Sequence, residues 1–177
     1  MEKYLQDSAR TAPANKLHTE LVPIEFIFDQ LAALRIVASP IDQAKKALFY
    51  GKDTTDLQFT RTVLGEHEQE VYNNVNVNLL HSILGILTEA HELAELLALH
   101  LVDPEKYSLE ALRPKLLNES GDGLWYQALL FRELDTTFES VGDLNTAKLL
   151  ERFPVKFTED LAIHRDESTE DAVFLQS

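Results

Sequence analysis

The chain has no cysteine, so it can form neither a disulfide frame nor a thiolate metal site. Glycine and proline are scarce, six of each in 177 residues. Strict apolar–polar alternation is nearly absent, and one four-residue stretch, VNVN, cannot make a sheet. Together these shortages point to an all-α fold. Basic residues are also few, 16 Lys and Arg against 30 Asp and Glu, for a formal charge of −14. Such a chain repels a nucleic-acid backbone, and no basic stripe with interleaved aromatics offsets the repulsion, so no nucleic-acid partner is expected. Long uncharged apolar runs are missing too. The longest is broken by His81, Glu89, Glu92 and Glu95, which excludes a lipid-spanning helix and a membrane partner. The N-terminal MEKYLQDSARTAPANK lacks the apolar stretch of a secretory signal. The expectation is a cytoplasmic protein. A phosphate ligand could enter so acidic a molecule only with metal ions or a few well-placed cations.

What is present is apolar and helical. Hydrophobic residues make up 45% of the chain, enough for one core. The simplest organisation is a mobile N-terminal arm over 1–18, a single helical domain over 19–166 and a frayed tail over 167–177. Apolar spacing predicts a first helix from Pro23 to Val37. Ser39 and Pro40 read as the cap and first-turn proline of a second helix, which Gly51 stops. Lys45 and Lys46 on that helix read either as a solvated face or as a phosphate contact. Residues 53–77 predict a short helix and then entry into a long one. Asp103 and Pro104 end the long helix, Ser108 caps a short turn, and Pro114 opens the next helix. Thr136 or Thr137 caps a further helix that Pro154 closes.

The long helix, NLLHSILGILTEAHELAELLALHL from Asn78 to Leu101, organises the rest. At about 100° per residue its leucines, isoleucines and alanines cover most of the circumference. A narrow polar stripe remains: Asn78, Ser82, Gly85, Glu89 and Glu92, with His81 at its edge. Burying a carboxylate without a partner costs on the order of several kcal/mol, so Glu89 and Glu92 at i and i+3 imply a hard cation. A second pair at the same spacing, Glu119 and Asp122, shares a helix face with Lys115 and Tyr126, and Trp125 stands to one side. Further on, Asn145, Lys148 and Arg152 fall at i, i+3 and i+7, again one face. Four carboxylates offer only oxygen ligands, which suits Mg²⁺, with Mn²⁺ as substitute, rather than zinc. A di-iron bundle would show Glu-x-x-His pairs, and the chain has none. His81, His91 and His100 have no spacing that makes a ligand triad.

Glu89-Ala-His-Glu92 followed by Glu119-Ser-Gly-Asp122 resembles the E-x-x-E…E-x-x-D signature of the MazG-like all-α NTP pyrophosphatases, a superfamily that includes dimeric dUTPases, dCTPases and phosphoribosyl-ATP pyrophosphohydrolases. LGILTEAHELAELL resembles the family's first metal helix and ESGDGLWYQALL its second. DLNTAKLLERFP is similar to a later family segment, and KFTEDLAIHRD to a tail common in phage-type members. The resemblance covers roughly residues 79–166. Thr88 replaces a usual glycine and His91 a usual small residue, and the first 78 residues do not map onto the pattern.

The resemblance implies a bundle of four core helices plus N-terminal helices, assembled as a homodimer or a dimer of dimers. It implies metal binding by Glu89, Glu92, Glu119 and Asp122, and contact with a nucleoside or deoxynucleoside triphosphate through Trp125, Tyr126, Asn145, Lys148 and Arg152. The implied reaction is attack of a metal-activated water on the α-phosphorus, giving a monophosphate and pyrophosphate, with Glu89 or Glu92 taking the proton. Four carboxylates and a triphosphate carry on the order of eight negative charges, so without divalent ions the complex should not form. Two rival readings are a non-enzymatic helical interaction module, with the acidic pairs as surface, and the same site acting on an alarmone-like pyrophosphorylated nucleotide.

Overall fold

The computed structural model describes residues 4, 7–9, 21–22, 24–52 and 73–175. Among these residues the regular elements are helices and no strand occurs, as the sequence predicts. They form two compact units. One comprises the described residues between Glu20 and Leu134; the other comprises those of the first nineteen residues together with Asp135–Ser177. The short helix expected within 53–77 lies almost wholly outside the described residues, as does most of the expected arm over 1–18.

The first unit is built from α1 (Ile24–Tyr50), α2 (Val77–Val102) and α3 (Leu109–Glu133), with α2 the common neighbour of the other two. Asn76 opens α2 by accepting the Leu79 amide at 2.9 Å, and the Asp103 amide closes it on Leu99 O at 3.1 Å, one residue before Pro104. Asn78 Nδ2 donates to Glu133 at 3.0 Å, while Gly85 faces Tyr126 and Glu89 faces Gly123, so α3 runs antiparallel to α2. Arg35 meets Glu95, Lys45 meets Glu89 and Phe49 meets His81, so α1 is antiparallel to α2 as well. The acidic stretch of α2 therefore faces both α1 and α3, which touch each other through Tyr50 and Tyr126.

Two helix starts differ from expectation. The sequence predicts a break at Ser39–Pro40, but α1 runs through it as one helix with Pro40 inside. A mid-helix proline removes an amide donor and crowds the carbonyl four residues back, at about 3 kcal/mol in an isolated helix. Here Pro40 and Ile36 both lie on the exposed side, where water can serve the freed carbonyl, while Ala38 and Lys45 are buried on the opposite side. The helix is thus held by its packed face. The second difference is α3, which starts at Leu109 rather than Pro114. Ser108 Oγ accepts the Ala111 amide at 3.2 Å, and exposed Pro114 is carried in the second turn. Gly51 stops α1 as expected: it takes φ +65°, a left-handed conformation that glycine adopts without strain, and its amide bonds Ala47 O at 3.0 Å.

The second unit contains α4 (Phe138–Arg152), α5 (Glu159–Ile163) and α6 (Glu167–Leu175). Thr137 caps α4 through the Ser140 amide at 3.1 Å, and α4 ends at the Phe153–Pro154 step. The expected frayed tail over 167–177 is instead helical as far as Leu175. Asp166 caps it by accepting the Ser168 and Thr169 amides at 3.1 and 3.3 Å. Glu170 then anchors it, buried and paired with Arg152, whose Nε donates to Oε1 at 2.6 Å. Burying that charge with its partner turns a polar segment into a packed one. Tyr4 belongs to the same unit, its hydroxyl accepting Asn145 Nδ2 at 3.4 Å.

Candidate metal centre

Close approach of α2 and α3 depends on Gly85. A Cβ placed on Gly85 would lie 2.0 Å from Tyr126 Cδ1, inside the ring's own volume, so only glycine lets that ring lie against the helix. One turn further along α2, Glu89 Cβ sits where a Cβ on Gly123 would meet it at 3.8 Å. With the helices this close, Glu89, Glu119 and Asp122 each bring a carboxylate oxygen within 4.8 Å of the other two. Glu89 is buried, Glu119 half-buried and Asp122 exposed, so the cluster opens to solvent on the α3 side. Three converging oxygens fit a hard divalent cation such as Mg²⁺ or Mn²⁺.

The fourth expected carboxylate, Glu92, is not one of the three. It lines a separate pocket of about 160 Å³ together with Arg35, Ser39, Asp42, Thr88 and His91. Burial, then the charges of Glu89, Glu119 and Asp42, raise its pKa to about 7 against the opposing pull of Lys46. Asp42, which contributes to this field, comes from α1, outside the segment the family resemblance covers.

Beside the three-carboxylate cluster is a cavity of about 370 Å³ lined by Tyr50, Glu89, Asp122, Trp125 and Tyr126. Tyr126 is buried, its hydroxyl 3.0 Å from that of Tyr50, which in turn lies 3.2 Å from His81 Nε2. Burial, the Tyr50 hydrogen bond and the nearby Glu89 and Asp122 all push the Tyr126 phenol above its ordinary pKa, so it stays protonated. His81 stacks on Phe49 at 3.9 Å, and burial followed by the Lys45 charge lowers its pKa. Trp125, by contrast, is 56% exposed. Of the two aromatics the sequence offers as nucleoside contacts, Tyr126 is held in packing and Trp125 is exposed.

Lys45 is neither a solvated cation nor a free phosphate contact. It is 2% exposed and donates to Thr88 Oγ1 at 2.6 Å and to Glu89 Oε1 at 3.2 Å. Its Nζ also lies 3.4 Å from Asp42 Oδ1 and 4.8 Å from the centre of the Tyr126 ring. Lys46 pairs with Asp42 on the more open side. Helical register could have singled Lys45 out: it stands seven residues beyond Ala38 and so on the buried stripe of α1, whereas Lys46 is turned about 100° away. Thr88, one of the two departures from the family pattern, is fully buried and donates a hydrogen bond to Gly85 O at 3.0 Å. That bond leaves its lone pairs free for Lys45. His91, the other departure, is buried with Nε2 3.7 Å from Glu95 Oε1, on the side of Glu92 rather than of the cluster.

Lys115 is exposed on α3. Asn145, Lys148 and Arg152 lie on α4 in the second unit. Arg152 is engaged by Glu170, Asn145 by Tyr4, and Lys148 Nζ is 5.9 Å from the centre of the Phe174 ring. No helix among the described residues is long and apolar enough to cross a membrane. Set against family models, curated proteins and solved structures, the chain matches none.

Proposed function

We propose that this chain is a metal-dependent nucleoside triphosphate pyrophosphohydrolase of the MazG-like all-α kind, cleaving its substrate to a monophosphate and pyrophosphate. The convergence of Glu89, Glu119 and Asp122 at the edge of a cavity walled by Tyr50, Trp125 and Tyr126 carries the reading. Carboxylates and an exposed indole lining one cavity suit the two ends of a nucleotide, one polyanionic and the other a flat π surface.

A divalent ion held by Glu89, Glu119 and Asp122 would supply charge neutralisation for the phosphates and acidify a water. The residues of the chain do the rest. Trp125 offers its exposed face to the nucleobase. Tyr126, kept protonated and pinned by Tyr50, walls the site and fixes its width. Glu92, one turn from Glu89 and outside the three-oxygen cluster, takes the proton of the attacking water. Arg152 serves to anchor α6. A homodimer or dimer of dimers completes the reading, supported by the exposed Ile36, Val37, Leu48, Ile83 and Leu97 on α1 and α2.

Hydrolysis of a panel of NTPs and dNTPs with Mg²⁺ in ¹⁸O-water tests this. The expected products are a monophosphate carrying the label and unlabelled pyrophosphate, with turnover lost in Glu119→Gln. Release of diphosphate and orthophosphate, or label in the pyrophosphate, overturns the assignment of the scissile bond. No turnover of any triphosphate by the folded protein overturns the triphosphatase reading, and no turnover of a pyrophosphorylated nucleotide either overturns the enzyme reading and favours an interaction module.

A further inference from the structure

We propose that Lys45 is a positioning residue of the metal centre, an internal counter-cation that holds one oxygen of Glu89 and leaves the other for a divalent ion. The inference rests on the reading of Glu89, Glu119 and Asp122 as metal ligands, but uses a residue from outside the segment that resembles the family. The geometry points to it. Lys45 reaches from α1 across to α2, almost completely buried, and ends on Thr88 Oγ1 at 2.6 Å and Glu89 Oε1 at 3.2 Å. A buried ammonium with three donors requires partners: these two belong to adjoining residues of α2, and a third, Asp42 Oδ1 on α1, lies 3.4 Å from Nζ. Thr88 serves as the acceptor because an ammonium can only donate; the Thr88 hydroxyl itself faces Gly85 O at 3.0 Å and Glu89 Oε1 at 3.4 Å. The Tyr126 ring lies 4.8 Å from Nζ and is itself wedged against Gly85. Lys45, Thr88, Glu89 and Tyr126 thus form one locked unit, and the Glu89 carboxylate cannot rotate without breaking it.

Two consequences follow from elementary electrostatics. Lys45 supplies a positive charge beside a cluster of three carboxylates, so it stabilises the cluster when no metal is bound. The same charge repels an incoming divalent ion and competes with it for Glu89. Lys45 therefore weakens resting metal affinity while keeping the ligand oriented, which favours exchange of the ion over trapping it.

Mn²⁺ binding to the full chain, followed by calorimetry after stripping with a chelator, separates this role from a merely structural one. Lys45→Met and Lys45→Gln should bind Mn²⁺ roughly tenfold or more tightly than wild type. Their melting temperature should rise more on adding Mn²⁺ than that of wild type does. Lys45→Arg keeps the charge and should stay close to wild-type affinity. If the neutral variants bind Mn²⁺ no more tightly than wild type, or melt lower by the same amount with and without Mn²⁺, the proposal is overturned and Lys45 is only a cross-link between α1 and α2. The proposal also falls if neither neutral variant folds even with Mn²⁺ present. A different outcome identifies failure of the underlying metal reading: wild type then shows no Mn²⁺ binding that Glu119→Gln abolishes.

Discussion

At the scale of single residues, Glu92 and Lys45 show how the same acidic field acts on opposite charges. The Glu92 carboxyl is raised from 4.5 to about 7, first by burial and then by Glu89, Glu119 and Asp42. Folding therefore favours its protonated form. That contribution to stability is fully present below about pH 4.5 and is lost as pH rises through about 7, after which it changes no further. In metal-free protein, Glu92→Gln should remove this slope. Thermal melts in a chelator should show the variant several degrees above wild type at pH 8 and level with it near pH 4. A wild-type melting temperature at pH 8 equal to or above that of the variant would show that the field at Glu92 is already neutralised. The sequence exposes the carboxylates readily, because acids inside an apolar helix stand out against their neighbours. Lys45 is harder to read. Two adjacent lysines on an amphipathic helix look alike in composition, and only the register relative to Ala38 tells the buried one from the open one. Asp42 and Tyr50 are hidden for a different reason: their importance comes from what α2 and α3 place opposite them, which no local pattern encodes.

At the scale of helices, the approach of α2 to α3 hangs on Gly85. Alanine has a better helix propensity than glycine by about 1 kcal/mol, so propensity alone makes Gly85→Ala stabilising. The added Cβ would sit 2.0–2.3 Å from three atoms of the Tyr126 ring, and that ring is held by Tyr50 and lies against Lys45. The clash should win, with a net loss of about 1–3 kcal/mol in denaturant unfolding. Tyr126→Leu in the same background should recover part of it; Gly85→Ala as stable as wild type would mean that the helices can part at no cost. Some helix ends are legible in the sequence: Thr137 caps a helix through its side-chain oxygen and Gly51 closes one in a left-handed turn, whereas Asn76 is not picked out as a cap and Ser108 reads as capping only a short turn. The continuity of α1 through Pro40 is not, because a proline's local cost is visible in sequence while the packing that absorbs it is hidden. The helix over Glu167–Leu175 escapes a sequence reading on the same grounds: its polar residues suggest fraying until Glu170 is seen beside Arg152.

At the scale of the whole molecule, a net charge of −14 and much exposed apolar surface pull in opposite directions. The charge opposes association; the leucines and isoleucines of α1 and α2 favour it. Apolar contact acts at short range and survives salt, whereas repulsion between surface charges fades beyond a Debye length of about 8 Å at physiological ionic strength. Association should therefore strengthen as salt is added. Sedimentation equilibrium at rising NaCl should show two- or fourfold the mass of the chain, and a single-chain mass at every salt concentration would show the exposed apolar faces to be unpartnered. One last property belongs to the molecule because of where a single side chain stands. The chain has one tryptophan, and it lies exposed at the cavity rim, 4.9 Å from the Tyr126 ring and 5.9 Å from that of His81. Indole fluorescence from the entire protein thus originates at one place. An ion or nucleotide entering the cavity can be followed by the intensity and colour of that emission without any label, and events elsewhere in the chain reach the signal only by moving that ring.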